Sequence, residues 1–155
     1  MKYISHRGNI NGRIEEAENH PHYIHDTLVM GYDIEIDIWY VDGKLWLGHD
    51  EPQYEVELQW LLHRAHFLWI HCKNIPAMLY FNEFSKDNNT LNYFWHEEDT
   101  LTLTSKGYIW AYPGKQPIEG SIAVMPELHN DDVSGCLGIC SDYIKKYKDE
   151  EGQLK

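Results

Sequence analysis

Residues 31–50, GYDIEIDIWYVDGKLWLGHD, carry the reading on which the fold turns. Within them Asp33, Ile34, Glu35, Ile36, Asp37 and Ile38 alternate acid with isoleucine. Side chains two apart share one face of an extended strand, so Asp33, Glu35 and Asp37 line one side and the isoleucines the other. An isoleucine stripe requires a packed partner; the acidic side then faces either solvent or a cavity. Glu35 and Asp37 would stand roughly 6–7 Å apart along the strand, near enough to share a hard cation. Asp42-Gly43 signals a turn. Lys44–Leu47 resumes an extended run, which delivers Gly48-His49-Asp50 at its exit.

The first residues show the same arrangement. Lys2–Ser5 reads as a short strand with His6-Arg7-Gly8 at its end. Arg7 offers a planar fork suited to phosphate or carboxylate oxygens, and Gly8 allows close approach of backbone to a ligand. Four pieces occur in order: His6-Arg7-Gly8, Glu18-Asn19, Gly31–Asp37 and Gly48-His49-Asp50. Together they resemble the glycerophosphodiester phosphodiesterase family, within the phospholipase-C-like phosphodiesterase superfamily.

That resemblance implies a TIM-type (β/α) barrel, metal-dependent phosphodiester hydrolysis, and a site at one mouth of the barrel. His6 and His49 would be the catalytic pair, with Arg7 and Lys73 on phosphate oxygens. Glu35 and Asp37 would hold a divalent cation (magnesium, calcium or manganese), and Glu18-Asn19 would support the phosphate and metal region. Residues 67–74 read as a strand with Trp69, His71 and Lys73 on one face. There the family carries an acidic residue, one intervening residue and a lysine; here His71 stands in the acidic place and Lys73 in the lysine place. Imidazole at that position favours a borderline cation such as manganese or zinc over calcium. The alternatives are a third ligand from elsewhere, or a weak or absent metal. Trp110 falls where the family has a tryptophan-bearing strand, and Ser141-Asp142 resembles its final strand.

Composition bounds the reading. The 155 residues suffice for one domain with a core, and a 43% hydrophobic fraction rich in aromatics argues for a globular chain. A formal net charge of −12 excludes non-specific nucleic-acid binding and attraction to anionic membranes. The three cysteines Cys72, Cys136 and Cys140 do not make a disulfide framework. Neither a membrane-length apolar run nor a signal-peptide pattern is found, so a cytoplasmic location is expected.

Further strands are expected near 91–95, 101–104, 108–112, 121–126 and 135–143, with helices over 14–30 (broken at Pro21), 56–64 and 75–84. A (β/α)8 barrel usually needs ~200 residues or more. The expectation is therefore a compact, reduced barrel over 1–144, its outer helices shortened or replaced by loops, and a charged tail over 145–155 that frays. Surplus tryptophan and tyrosine would cover the bared flank, or a homodimer would bury it. His20, His22 and His25 read as a turn and a wet helix face rather than a metal site. His96, Glu97 and Glu127 follow strands and are either site residues or loop polars; Glu127 is placed with the substrate-supporting group.

Two functions from different classes follow. One is an active hydrolase of a small or glycan-linked phosphodiester; the other is a catalytically silent barrel that keeps a phosphate or sugar-phosphate pocket. A metal hydrolase of other bonds ranks third. A purely binding pocket has no need of two proton carriers, which favours the first.

Overall fold

The computed structural model describes residues 1–154. The fold is mixed α/β, with one ten-stranded sheet and α-helices packed on its outer face. In chain order the strands are β1 (Lys2–His6), β2 (Asp33–Val41), β3 (Lys44–Leu47), β4 (Tyr54–Val56), β5 (Leu68–Cys72), β6 (Tyr93–Trp95), β7 (Leu101–Leu103), β8 (Ile109–Ala111), β9 (Ile122–Val124) and β10 (Gly138–Ser141). The helices are α1 (Pro21–Val29), α2 (Leu58–Leu62), α3 (Ile75–Phe84) and α4 (Ile144–Gln153).

Strands β6, β5, β2, β1, β10, β9 and β8 run parallel in that spatial order. The far end of β2 folds back through β3 and β4 as an antiparallel extension, and β7 lies antiparallel on β8. The isoleucine stripe packs as its pattern requires. Ile34, Ile36 and Ile38 are fully buried in one cluster with Ile24 of α1, Leu61 of α2, and Ala77 and Phe81 of α3. Helix α3 starts where its sequence dictates: the Asn74 side chain accepts from Ala77 N–H at 3.0 Å and Pro76 sits in the first turn.

A second cluster fills the opposite face. Ile4, Trp69, Phe94, Trp110, Ile122, Val124 and Cys140 come from six strands yet meet there, so the sheet is strongly curled. The rings of Phe94 and Trp110 approach to 4.9 Å although β6 and β8 are not paired. Among the described residues no strand ladder closes the circle. The ends touch instead through Ser105 N–H on Tyr93 O (2.8 Å) and Thr102 Oγ1 on Trp95 O (3.3 Å).

Several sequence expectations are corrected. Val56 ends strand β4 rather than starting a helix, because it pairs with Leu45 of β3, and α2 begins only at Leu58. Residues 145–153 of the charged tail do not fray but continue α4, which is anchored by the buried Ile144 before them and by Tyr3 of β1 donating to Glu151. Trp69 and Trp110 fill the inside of the curl and do not cover its flank. Between β6 and β9 loops stand where outer helices would lie, and Leu101 and Leu103 are exposed there. No helix among the described residues is long and apolar enough to cross a membrane.

Candidate active site

The C-terminal ends of β1, β2 and β5 bring together nearly every residue singled out from sequence. At the exit of β1, Arg7 and Gly8 both adopt positive φ, +58° and +100°. A Cβ on Gly8 would come within 2.6 Å of the Tyr23 ring, so only glycine fits beneath that ring. This turn directs Arg7 onto the carboxylates. Its Nη1 donates to Glu18 Oε2 at 2.9 Å, and its Nε lies 2.9 Å from Asp37 Oδ2 with the N–H angled off the direct line. Asn19, also at positive φ, clasps Asp37 from both sides: Nδ2 donates to Oδ2 (2.9 Å) and Oδ1 accepts from the Asp37 N–H (3.0 Å).

His49 is delivered by the β2–β3 hairpin. Gly48 donates to Asp37 O at 3.1 Å, and Trp39 Nε1 donates to Gly48 O at 2.7 Å. A Cβ on Gly48 would lie 2.0 Å from Glu51 O, so the position is closed to other residues. His49 Nδ1 then stands 3.4 Å from Asp37 Oδ2 and 3.5 Å from Lys73 Nζ. Parallel register sets Asp37 beside His71, whose Nδ1 is 3.1 Å from Asp37 Oδ1 and 3.8 Å from Glu35 Oε1. Lys73 Nζ lies 4.0 Å from Asp37 Oδ1.

His6 is fixed by a residue the sequence reading did not place in the site. Its Nδ1 donates to Asp142 Oδ1 at 2.8 Å, which leaves Nε2 toward Glu35 Oε2, 3.9 Å away. Asn9 also donates to Asp142, at 2.8 Å. The strand exit before Asp142 was the available signal; what sequence could not supply is that β10 lies beside β1, with Ser5 opposite Ser141.

The electrostatics divide the buried pair. Burial opposes the charge on Asp37, but hydrogen bonds from His49 and His71 and the Arg7 guanidinium outweigh it and hold the carboxyl well below its usual range. Burial, then the neighbouring Asp37, push the Glu35 carboxyl well above its usual range. Glu35 Oε2 is buried and has no hydrogen-bond partner. Burial also works against Arg7, yet Asp37, Glu35 and Glu18 keep it firmly protonated. Glu18 is lowered despite burial, through Arg7 and Arg13.

Part of this cluster lines a cavity of about 520 Å³. Its polar lining is His6, Arg7, Glu35, His49, His71 and Lys73, and Trp39, Trp110, Tyr112 and Met125 supply apolar lining. His96 also lines it, stacked on His71 at 4.4 Å and tilted against the Tyr112 ring at 4.3 Å, and burial with nearby His71 and Lys73 pushes it down to about 4. Of the residues expected in the site, Glu127 is the exception. Met125 turns the chain through positive φ after β9, and Glu127 ends on the outer face, accepting from Ser141 Oγ (2.7 Å) and Tyr147 OH (3.2 Å). It contacts α4 through Tyr147 and does not line the cavity. His20 caps α1, accepting from His22 N–H. Glu35, Asp37 and His71 form the one group of three or more candidate metal ligands among the described residues.

No family model, curated protein or solved structure matches the chain.

Proposed function

We propose that the chain is a divalent-cation-dependent phosphodiester hydrolase of the glycerophosphodiester phosphodiesterase type, built on a reduced (β/α) barrel. Taken as a ring, β1, β2, β5, β6, β7, β8, β9 and β10 make eight staves, with β7 reversed and bonded to β6 through Ser105 and Thr102. The observation that carries the function is the convergence of His6, Arg7, Glu35, His49 and Lys73 from four separate segments on one cavity, with the buried Asp37 held against Arg7, His49, His71 and Lys73.

The residues fit a cation. Glu35, Asp37 and His71 each offer an atom within 4.8 Å of the others, and Glu35 Oε2 is an orphaned buried acceptor. A bound dication would add positive charge against the non-bridging phosphate oxygens. The remaining work falls to side chains. Asp142 holds the His6 Nδ1 proton, so Nε2 is free to take a proton from the attacking hydroxyl or water. His49, across the mouth, gives a proton to the departing oxygen. Arg7 and Lys73 face the cavity and neutralise phosphate oxygens.

Purified protein with magnesium, calcium or manganese is expected to cleave bis-p-nitrophenyl phosphate or a glycerophosphodiester. His6→Ala and His49→Ala should each lower turnover by ~10²–10⁴-fold with the circular-dichroism spectrum unchanged. Absence of turnover with every cation across a phosphodiester panel sinks this reading. One observation favours the silent barrel: Arg7, Asn19 and His71 already attend both oxygens of Asp37. Under that reading inorganic phosphate or a sugar phosphate raises the melting temperature without being turned over.

A further inference from the structure

His71 stands where acceptors converge. Its Nδ1 has Asp37 Oδ1 at 3.1 Å and Glu35 Oε1 at 3.8 Å. The Asp37 carboxylate offers only lone pairs, so Nδ1 must bring a proton to it or share a cation with it. The far side of the ring allows the second arrangement. Nε2 lies 3.4 Å from the backbone carbonyl of His96, an acceptor at which the neutral ring can place its single N–H. Nδ1 is then left as a ligand without stranding Nε2, which is the way metal-bound imidazoles are usually oriented.

Strand β6 keeps the ring in that plane. His96 and Phe94 stack on His71 at 4.4 and 5.2 Å, with interplanar angles of 13° and 6°. Asp37 has one oxygen to give: Oδ2 is held by Asn19 and Arg7, while Oδ1 faces His71. Glu35 supplies an independent sign that a cation belongs here, being 3% exposed with Oε2 unpartnered at the cavity wall.

We infer that Glu35, Asp37 and His71 form a mixed oxygen–nitrogen site that prefers a borderline first-row dication such as Mn²⁺ or Co²⁺ over Mg²⁺ and Ca²⁺, with His71 Nδ1 as the discriminating ligand. The inference rests on the cation-dependent reading of the same site and not on which bond is cleaved. Mg²⁺ and Ca²⁺ take oxygen ligands and gain little from imidazole; Mn²⁺ and Co²⁺ accept both. Affinity rises along the first row at almost any site, so a later metal's tighter binding is not diagnostic by itself. The informative quantity is how the Mn²⁺/Mg²⁺ affinity ratio responds to residue 71.

The experiment uses metal-stripped full-length chain. Loss of the free Mn²⁺ paramagnetic resonance signal reports binding, with Mg²⁺ and Ca²⁺ as competitors, in the wild type, His71→Asp and His71→Asn. His71→Asn offers an oxygen without adding a third carboxylate, which guards against a variant that fails to fold. Wild type is expected to bind Mn²⁺, and the Mn²⁺/Mg²⁺ ratio should shrink about tenfold or more in whichever variant folds. No Mn²⁺ binding to the wild type, or a ratio indifferent to residue 71, overturns the inference. A ratio that shifts in a protein cleaving no phosphodiester leaves the inference standing and removes the phosphodiesterase reading. Cleavage with an indifferent ratio does the reverse.

Discussion

Asp33 and Asp37 occupy the same face of β2, at opposite ends of the curled sheet. Asp37 is wholly buried and yet strongly ionised: the burial cost is outweighed by His49, His71 and Arg7. Asp33 keeps 19% of its side chain exposed, yet its carboxyl is raised. Burial dominates there, relieved only by Trp69 Nε1 at 3.1 Å and Lys2 at 3.7 Å. Burial does not separate a carboxyl that is lowered from one that is raised; the number of donors brought to it does. Donors reach Asp37 because the loops leaving β1 and β3 turn inward over the strand ends, through Gly8 and Gly48. At the other end only a strand's first residue and a core indole are within reach. Open parallel sheets and barrels bind at their C-terminal ends for the same reason.

The largest expected effect is on Asp37. Asp37→Ala leaves the Arg7 guanidinium buried beside an orphaned Glu35, and breaking a buried pair from one side costs about 3–5 kcal/mol. Urea unfolding should register that loss. In a double-mutant cycle Arg7→Ala and Asp37→Ala should together cost less than the sum of the two. A loss below about 1 kcal/mol, as expected of an exposed pair, would place Asp37 in the same class as Asp33.

Asp142 tests whether the rule extends to the next strand. Burial raises its carboxyl, but the hydrogen bond and charge of His6, with Asn9 and Arg7 behind, bring it below the usual range. A carboxyl lowered in the folded state contributes stability that is present above its unfolded value, about 3.9, and is lost as pH falls through the folded value. Asp142→Asn removes that contribution, so its unfolding free energy should fall less steeply than the wild type's below about pH 4. Parallel curves would show that Asp142 is held no better than a solvated carboxylate. Turnover gives a second reading: asparagine can present an amide to Nδ1 and so lose the tautomer that frees Nε2.

What sequence could show follows from range. The period of two in residues 33–38 is local, and it sets both the packed and the acidic face of β2. The helix start at Asn74-Ile75-Pro76 is equally local. His6, Arg7, Glu18, Asn19, His49, His71 and Lys73 were legible as strand exits and as pieces of one resembling pattern. Asp142 depended on β10 lying beside β1, a pairing across the whole chain. The position of Glu127 away from the cavity is not local either: a single left-handed residue, Met125, turns the chain after β9. Helix α4 was hidden by its polar composition: its anchoring rests on Ile144, Tyr147 and the Tyr3–Glu151 contact, which need the rest of the fold to exist.

The smallest expected effect is the one that most sharpens the contrast within β2. Asp33→Asn keeps an oxygen to accept from Trp69 Nε1 and gives up only the attraction to Lys2 at 3.7 Å, a pair whose lysine is 39% exposed. Such pairs contribute about 0–1 kcal/mol. The raised carboxyl shows that burial already works against the charge, and the amide removes that penalty. The two changes oppose each other, so the unfolding free energy at neutral pH should move by less than about 1 kcal/mol in either direction. A loss of several kcal/mol would mean that Lys2 and Trp69 hold Asp33 as firmly as Arg7, Asn19, His49 and His71 hold Asp37, and donor number would no longer explain why the candidate site stands at one end of β2.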